Sequence, residues 1–144
     1  TDLLCYRAER PGELVARPNA GWDPWLAWAE ARFGAQLQST QGVLPIRQDE
    51  TSIERLQDAL AGFDDFAVAG LFNLTAMLGS LVLALAVLQG ELEIERAIAL
   101  AEIDAVFQAE RWGEDSEALR RREGVRRDIA DVGRFLTLLS PSEL

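Results

Sequence analysis

Most enzymatic chemistry draws on a short menu of side chains, and two of them are missing here. The 144-residue sequence contains neither histidine nor lysine, and all fourteen of its basic residues are arginine. No Ser-His-Asp or Cys-His relay, imidazole metal ligand, phosphate-loop lysine or Schiff base can be built from it. Carboxylates remain. Asp64-Asp65, Glu102 and Asp104 are the candidates for acid-base work, on condition that two of them share a cleft that displaces their pKa values. Adjacent acids at helix starts more often cap the helix or face water, and no calcium-loop spacing is present. No catalytic residue, metal ligand or cofactor site is assigned.

A second set of residues suggests recognition rather than reaction. Asp104, Gln108 and Trp112 recur every four residues, so a carboxylate, an amide and an indole line one side of a helix, with Glu110, Arg111 and Glu114 beside them. A rigid tryptophan among polar groups has the composition of a protein-protein hot spot. Trp112 closing the end of a bundle is the other reading. The stretch Arg120 to Arg127, "RRREGVRR", is a basic patch in an acidic chain. It lacks interleaved aromatics, and helical spacing spreads its arginines around the axis, so it reads as ion pairing. Partners would be Glu117, Glu123, Asp128, Asp131 or acids elsewhere in the bundle.

Positioning such a stripe takes helices. Phe66 to Leu88, "FAVAGLFNLTAMLGSLVLALAVL", carries no charge and would extend about 35 Å as one helix, enough to cross a bilayer. Acids flank it on both sides, Asp64-Asp65 before and Glu91, Glu93 and Glu95 after, so it has no positive-inside anchor. Leu71, Leu74, Leu78, Leu81, Leu85 and Leu88 form a packing seam. Ala69, Asn73, Ala76, Ser80 and Ala84 form a stripe of small residues that lets a neighbour approach. The expectation is a buried central helix of an all-α bundle.

Around it, residues 1–15 predict a short extended piece, a Pro-Gly turn and then the start of a helix or a loop. Asp23 and Pro24 predict an N-cap and first helical position for a helix closed by Gly34, with Trp25, Trp28, Ala29 and Phe33 largely on one side. An extended connector follows, then a helix over 53–61 capped by Thr51 or Ser52, with Ile53, Leu56 and Leu60 inward and Gly62 at its end. The central helix starts at Asp64 or Asp65. After Gly90 a helix with Ile94, Ile98, Ala101 and Ala105 inward runs to Gly113. Asp115 or Ser116 caps the last one, whose inward stripe is Ala118, Val125, Ile129, Val132, Leu136 and Leu139, interrupted by Arg122.

A chain of this size supports one core, and a net charge of −10 disfavours nucleic acid or an anionic membrane as partner and favours a protein with a basic patch. The single cysteine, Cys5, cannot form an internal disulfide and suits a reducing compartment. Thr1 in place of methionine predicts a fragment or a processed form.

The segments "TDLLCYRAE", "WDPWLAWAEARFG", "GVLPIRQ", "LGSLVLALAV" and above all "FQAERWGED" together resemble a family of ATP synthase assembly chaperones that attend the α subunit of the catalytic head, in mitochondria and alphaproteobacteria. The resemblance implies a single helical domain over 1–144, corresponding to the C-terminal domain of a longer chaperone whose β-rich N-terminal domain is absent. It implies a non-enzymatic monomer without cofactor that holds unassembled α subunit, in the cytoplasm of a bacterium or the mitochondrial matrix. The family's Gln-x-x-x-Trp-Gly motif maps onto Gln108, Trp112 and Gly113. Asp104 stands where the family usually has glutamate, and Pro18 where it generally has glutamine before Trp-Asp-Pro. A small carboxylate-dependent hydrolase and a structural subunit of a larger complex are the competing readings.

Overall fold

The computed structural model describes residues 2–7, 12–41, 44–103, 106, 113 and 116–137. Among them the chain opens with a 3-10 turn at Leu3–Cys5 and strand β1 (Tyr6–Arg7), followed by helices α1 (Gly12–Phe33), α2 (Glu50–Ala61), α3 (Asp65–Leu78), α4 (Leu81–Leu88), α5 (Ile94–Ala101) and α6 (Ser116–Thr137). Strand β2 (Thr40–Gln41), between α1 and α2, pairs parallel to β1 with Tyr6 opposite Thr40 and Arg7 opposite Gln41. The fold is a helical bundle with short extended pieces near its start.

The expected long central helix is instead two helices. Gly79 takes the left-handed conformation (φ 74°) and donates its N–H to Thr75 O, which closes α3 in the manner that glycine alone adopts without strain. Ser80 then turns extended, and its Oγ accepts from Leu83 N to cap α4. Asp2 adds a second acceptor from the far end of the chain. Its Oδ2 takes the Val82 N–H at 3.1 Å and its Oδ1 takes Leu4 N. Free backbone donors at the start of α4 are thereby satisfied in an apolar interior, where leaving them unmet would cost about 1–3 kcal/mol each.

The leucine seam closes as expected: Leu71, Leu74, Leu78, Leu85 and Leu88 are buried and Leu81 is half-buried. α4 is enclosed by α1, α3, α5 and α6, and five consecutive residues, Val82 to Ala86, have no exposed surface. The small-residue stripe divides. Ser80 and Ala84 are buried, whereas Ala69, Asn73 and Ala76 on α3 face solvent, because the partners of α3 (α4, α6 and α5) lie on its other side. Among the described residues no helix is long and apolar enough to cross a membrane.

The helix expected to start at Asp23 starts at Gly12 and runs through Pro18 and Pro24. Asp23 is no N-cap; its carboxylate accepts from Arg7 Nη2 at 2.8 Å. An interior proline costs about 3 kcal/mol in an isolated helix, so tertiary contacts carry this one. Trp22 is wholly buried with its indole N–H on Leu100 O at 2.8 Å, and Gly21 lies so close to the end of α5 that a Cβ there would sit 3.1 Å from Leu100 Cδ2 and 2.8 Å from Cδ1 of Ile103 just beyond it. Gly34 closes α1 with φ 73° and an N–H to Glu30 O, as its position predicts. Trp25, Trp28 and Phe33 meet edge to face above buried Ala29.

Asp49, rather than Thr51 or Ser52, caps α2 by accepting from Ser52 N, which frees the buried Ser52 hydroxyl to donate to Gln36 O and accept from Gln36 N. Leu56 is buried and Leu60 half-buried as expected, but Ile53 is exposed. Gly62 ends α2, and Asp64 caps α3 by accepting from Ala67 N. In α5 the buried residues are Ala97, Ile98 and Leu100, with Ile94 and Ala101 half-buried. On α6 Ile129 and Leu136 are buried and Val132 half-buried, while Val125 is exposed. Ala105, Asp115 and Leu139 lie outside the described residues, as does the side chain of Ala118.

Candidate functional site

All six residues of the expected recognition stripe, Asp104, Gln108, Glu110, Arg111, Trp112 and Glu114, lie outside the described residues. Gly113 is described and takes the left-handed conformation (φ 82°), but the helix expected to run from after Gly90 to Gly113 is broken at Ala101, where the Glu102 N–H closes α5 on Ile98 O.

A polar staple is built on Glu102, the residue after α5. Its side chain is only 14% exposed and sits between two arginines of α6. Arg126 grips it in two-pronged fashion, with Nε at 3.0 and 3.1 Å from the two carboxylate oxygens and Nη2 on Oε2, while Arg122 Nη2 stands 3.7 Å from Oε2. The hydrogen bond to Glu102 is the main reason the Arg126 pKa is raised further above its ordinary value. This explains why Arg122 interrupts the apolar stripe of α6. It also gives the basic segment its purpose: arginines 122 and 126 staple α6 to α5 by pairs that reach across the bundle, not along the helix.

Beside this staple lies a groove of about 460 Å³ between α1 and α5, lined by Ala20, Gly21, Ala99, Ile103 and Val106 with Arg96, Glu102 and Arg126 at its edges. Its floor is set by the Gly21 approach and by the Trp22 hydrogen bond to Leu100 described above. Ile103 and Val106, which line this groove, flank Asp104 in sequence.

A second polar cluster anchors the opposite edge of α1. Arg7 is 6% exposed, yet every arm is used: Nε on Leu4 O, Nη1 on Asn19 Oδ1, Nη2 on Asp23 Oδ1, and the guanidinium plane 5.4 Å from the Trp22 ring. Nearby Cys5 is fully buried, and that desolvation, aided by the Asp2 charge, pushes its thiol up to about 11. A thiol held neutral in this way packs as a small apolar side chain and is a poor nucleophile.

For acid-base chemistry the described carboxylates are badly placed. Asp64 is committed to the α3 cap and Glu102 to two arginines, on different elements of the bundle. Among the described residues no group of three or more acids and cysteines gathers as a metal site would require.

One surface was not anticipated. Phe66 and Phe72 on α3 are 67% and 73% exposed, with Val68 and, on α6, Phe135 also exposed. The periodicity of an uncharged run could not reveal this, because every face of such a helix looks apolar.

No family model matches the chain. It is 25% identical over 121 residues to protein atp12, mitochondrial, of Schizosaccharomyces pombe, covering 81% of this chain and 42% of that protein. It superposes on the crystal structure of Atp12 from Paracoccus denitrificans with a TM-score of 0.91 and 41% identity, over 95% of this chain and 59% of that one. The Atu1473 protein of Agrobacterium tumefaciens, described as a candidate chaperone, gives 0.89 and 42% identity over 96% of this chain and 52% of its own. The chain thus spans between 42% and 59% of the length of these relatives.

Proposed function

The chain belongs to the Atp12 family, and from that premise we propose that it is an ATP synthase assembly chaperone which holds the unassembled α subunit of the catalytic head and keeps it from aggregating. The observation that carries the reading is the likeness to Atp12 of Paracoccus denitrificans in sequence and fold across nearly the whole chain. The role is one of binding without catalysis. A subunit awaiting its neighbours exposes a large apolar interface, and an acidic binder can cover it reversibly until the final partner, binding more tightly, displaces it. A contact of roughly 1,600 Å² in total would suffice.

In this reading the chain is the helical C-terminal part of a longer chaperone, working as a monomer in the bacterial cytoplasm or the mitochondrial matrix. The Asp104, Gln108 and Trp112 stripe, with Glu110, Arg111 and Glu114, is one contact region. The test is light scattering of isolated α subunit as it is diluted from denaturant, with and without an equimolar amount of the chain and no nucleotide. The chain is expected to suppress scattering, and Trp112→Ala or Asp104→Lys to weaken the effect at unchanged helicity. Undiminished aggregation in the presence of the parent chain would dispose of the reading; if both variants protect as well as the parent, the stripe is not the contact.

A further inference from the structure

We propose that the outer face of α3, completed by Phe135 of α6, is a docking surface for an apolar, basic-rimmed segment of a protein client. The face consists of Phe66, Val68, Ala69, Phe72 and Ala76, all exposed, and it joins α6 where Phe135 Cδ1 lies 3.3 Å from the position a Cβ would take on Gly70. Of the other exposed residues on α3, only Asn73 and Asp65 are polar. Scattered surface hydrophobics need no explanation, but two phenylalanines exposed by 67% and 73% on the outer side of one helix, with smaller apolar residues and Asn73 beside them, form an apolar surface of the kind that marks an interaction site. The aromatic rings supply large, rigid contact area at low entropic cost.

Charge selects the occupant. α3 has no basic residue, its N-terminal turn carries Asp64 and Asp65, and exposed Asp128 and Asp131 precede Phe135 on α6 by two turns and one. Asp131 is paired with Arg134, so the rim is acidic without being uniformly so. With a net charge of −10, a second copy would bring its own acids against these, and an anionic bilayer would be repelled. An apolar segment flanked by arginine or lysine meets neither penalty. The identity of the client rests on the chaperone reading; the location of the face rests on the exposed residues of α3 and Phe135 of α6.

The experiment uses the full chain and three probes followed by fluorescence anisotropy: a synthetic amphipathic helix with leucine on one face and arginine at its edges, the same helix with glutamate replacing arginine, and isolated α subunit. The arginine peptide is expected to bind and the glutamate peptide not to. Phe66→Ser with Phe72→Ser should lower the affinity for the arginine peptide about tenfold or more while leaving the thermal melt unchanged. If that double variant binds the arginine peptide as the parent does, or if neither peptide binds the parent, the docking face is refuted. A dimer in solution that the double variant converts to monomer would give the face to a second copy and overturn the proposal. If α subunit fails to bind while the arginine peptide binds through the phenylalanines, the chaperone reading falls and the face stands. If α subunit binds and the phenylalanines make no difference, the face falls and the chaperone reading stands.

Discussion

α3 and α4 are cut from one uncharged stretch of sequence, yet they live in different solvents. α4 is surrounded by α1, α3, α5 and α6 and exposes almost nothing between Val82 and Ala86. α3 buries Ala67, Gly70, Leu71, Leu74 and Leu78 and turns Phe66 and Phe72 to water. Composition does not separate them; the number of neighbours does. Gly79 and Ser80 are what allow the difference, since a straight helix through residue 79 could not redirect its axis between a half-open site and a closed one.

The largest effect that would sharpen this contrast is expected on α4. Leu83→Asp places a carboxylate without a partner in a site of zero exposure, and should cost at least about 4 kcal/mol, enough to abolish a cooperative thermal transition followed by circular dichroism. On the closed side of α3, Gly70→Val should cost about 1–3 kcal/mol. Its Cβ would lie 2.5 Å from Leu136 Cδ2 and force α3 and α6 apart, an effect read as a lower denaturant midpoint at constant slope. Cys5, buried in the turn that follows the Asp2 contact to α4, makes the interior sensitive to alkali. Its thiol titrates near 11 in the folded chain against 9.0 unperturbed, so its favourable burial is fully present below pH 9 and fades as pH rises through 11. Over that interval the parent should lose about 2 kcal/mol more stability than Cys5→Ala, compared by denaturant titration at each pH. The smallest effect belongs to the open side: Phe72→Ser should change stability by no more than about 0.5 kcal/mol. A value of several kcal/mol there would mean that α3 is packed on both faces and the contrast is false.

Much of the architecture could be read from single residues with specific backbone duties. Gly34, Gly62 and Asp64 end or start helices where their chemistry says they should. The break at Leu78-Gly79-Ser80-Leu81 was equally present in the sequence, a helix-closing glycine followed by a capping serine, but the lack of charge on either side drew attention to continuity. The first half of α1 was hidden for the opposite reason. Pro18 and Gly21 argue against a helix locally and Pro24 reads as a helix start rather than an interior position, whereas the contacts of Trp22 and Gly21 with Leu100 of α5, some eighty residues away, favour the longer helix. For the candidate site, ion pairing was a legible role for the arginines of α6, but not their target: nothing in spacing along α6 points to Glu102, twenty-four residues earlier than Arg126. The α3 face could not be seen at all, since periodicity reports which residues are apolar and not which of them a neighbour covers.

The claim that one half of the apolar run is open for a client and the other sealed can be read with a single reporter. Phe72→Cys and Ala84→Cys are each labelled with a thiol reagent, free and with isolated α subunit bound, against the silent background of buried Cys5. Position 72 should react rapidly when free and be shielded on binding, with position 84 inert in both states. Labelling at 72 that stays fast while α subunit is demonstrably bound, or at 84 that matches it in the free chain, would contradict the account.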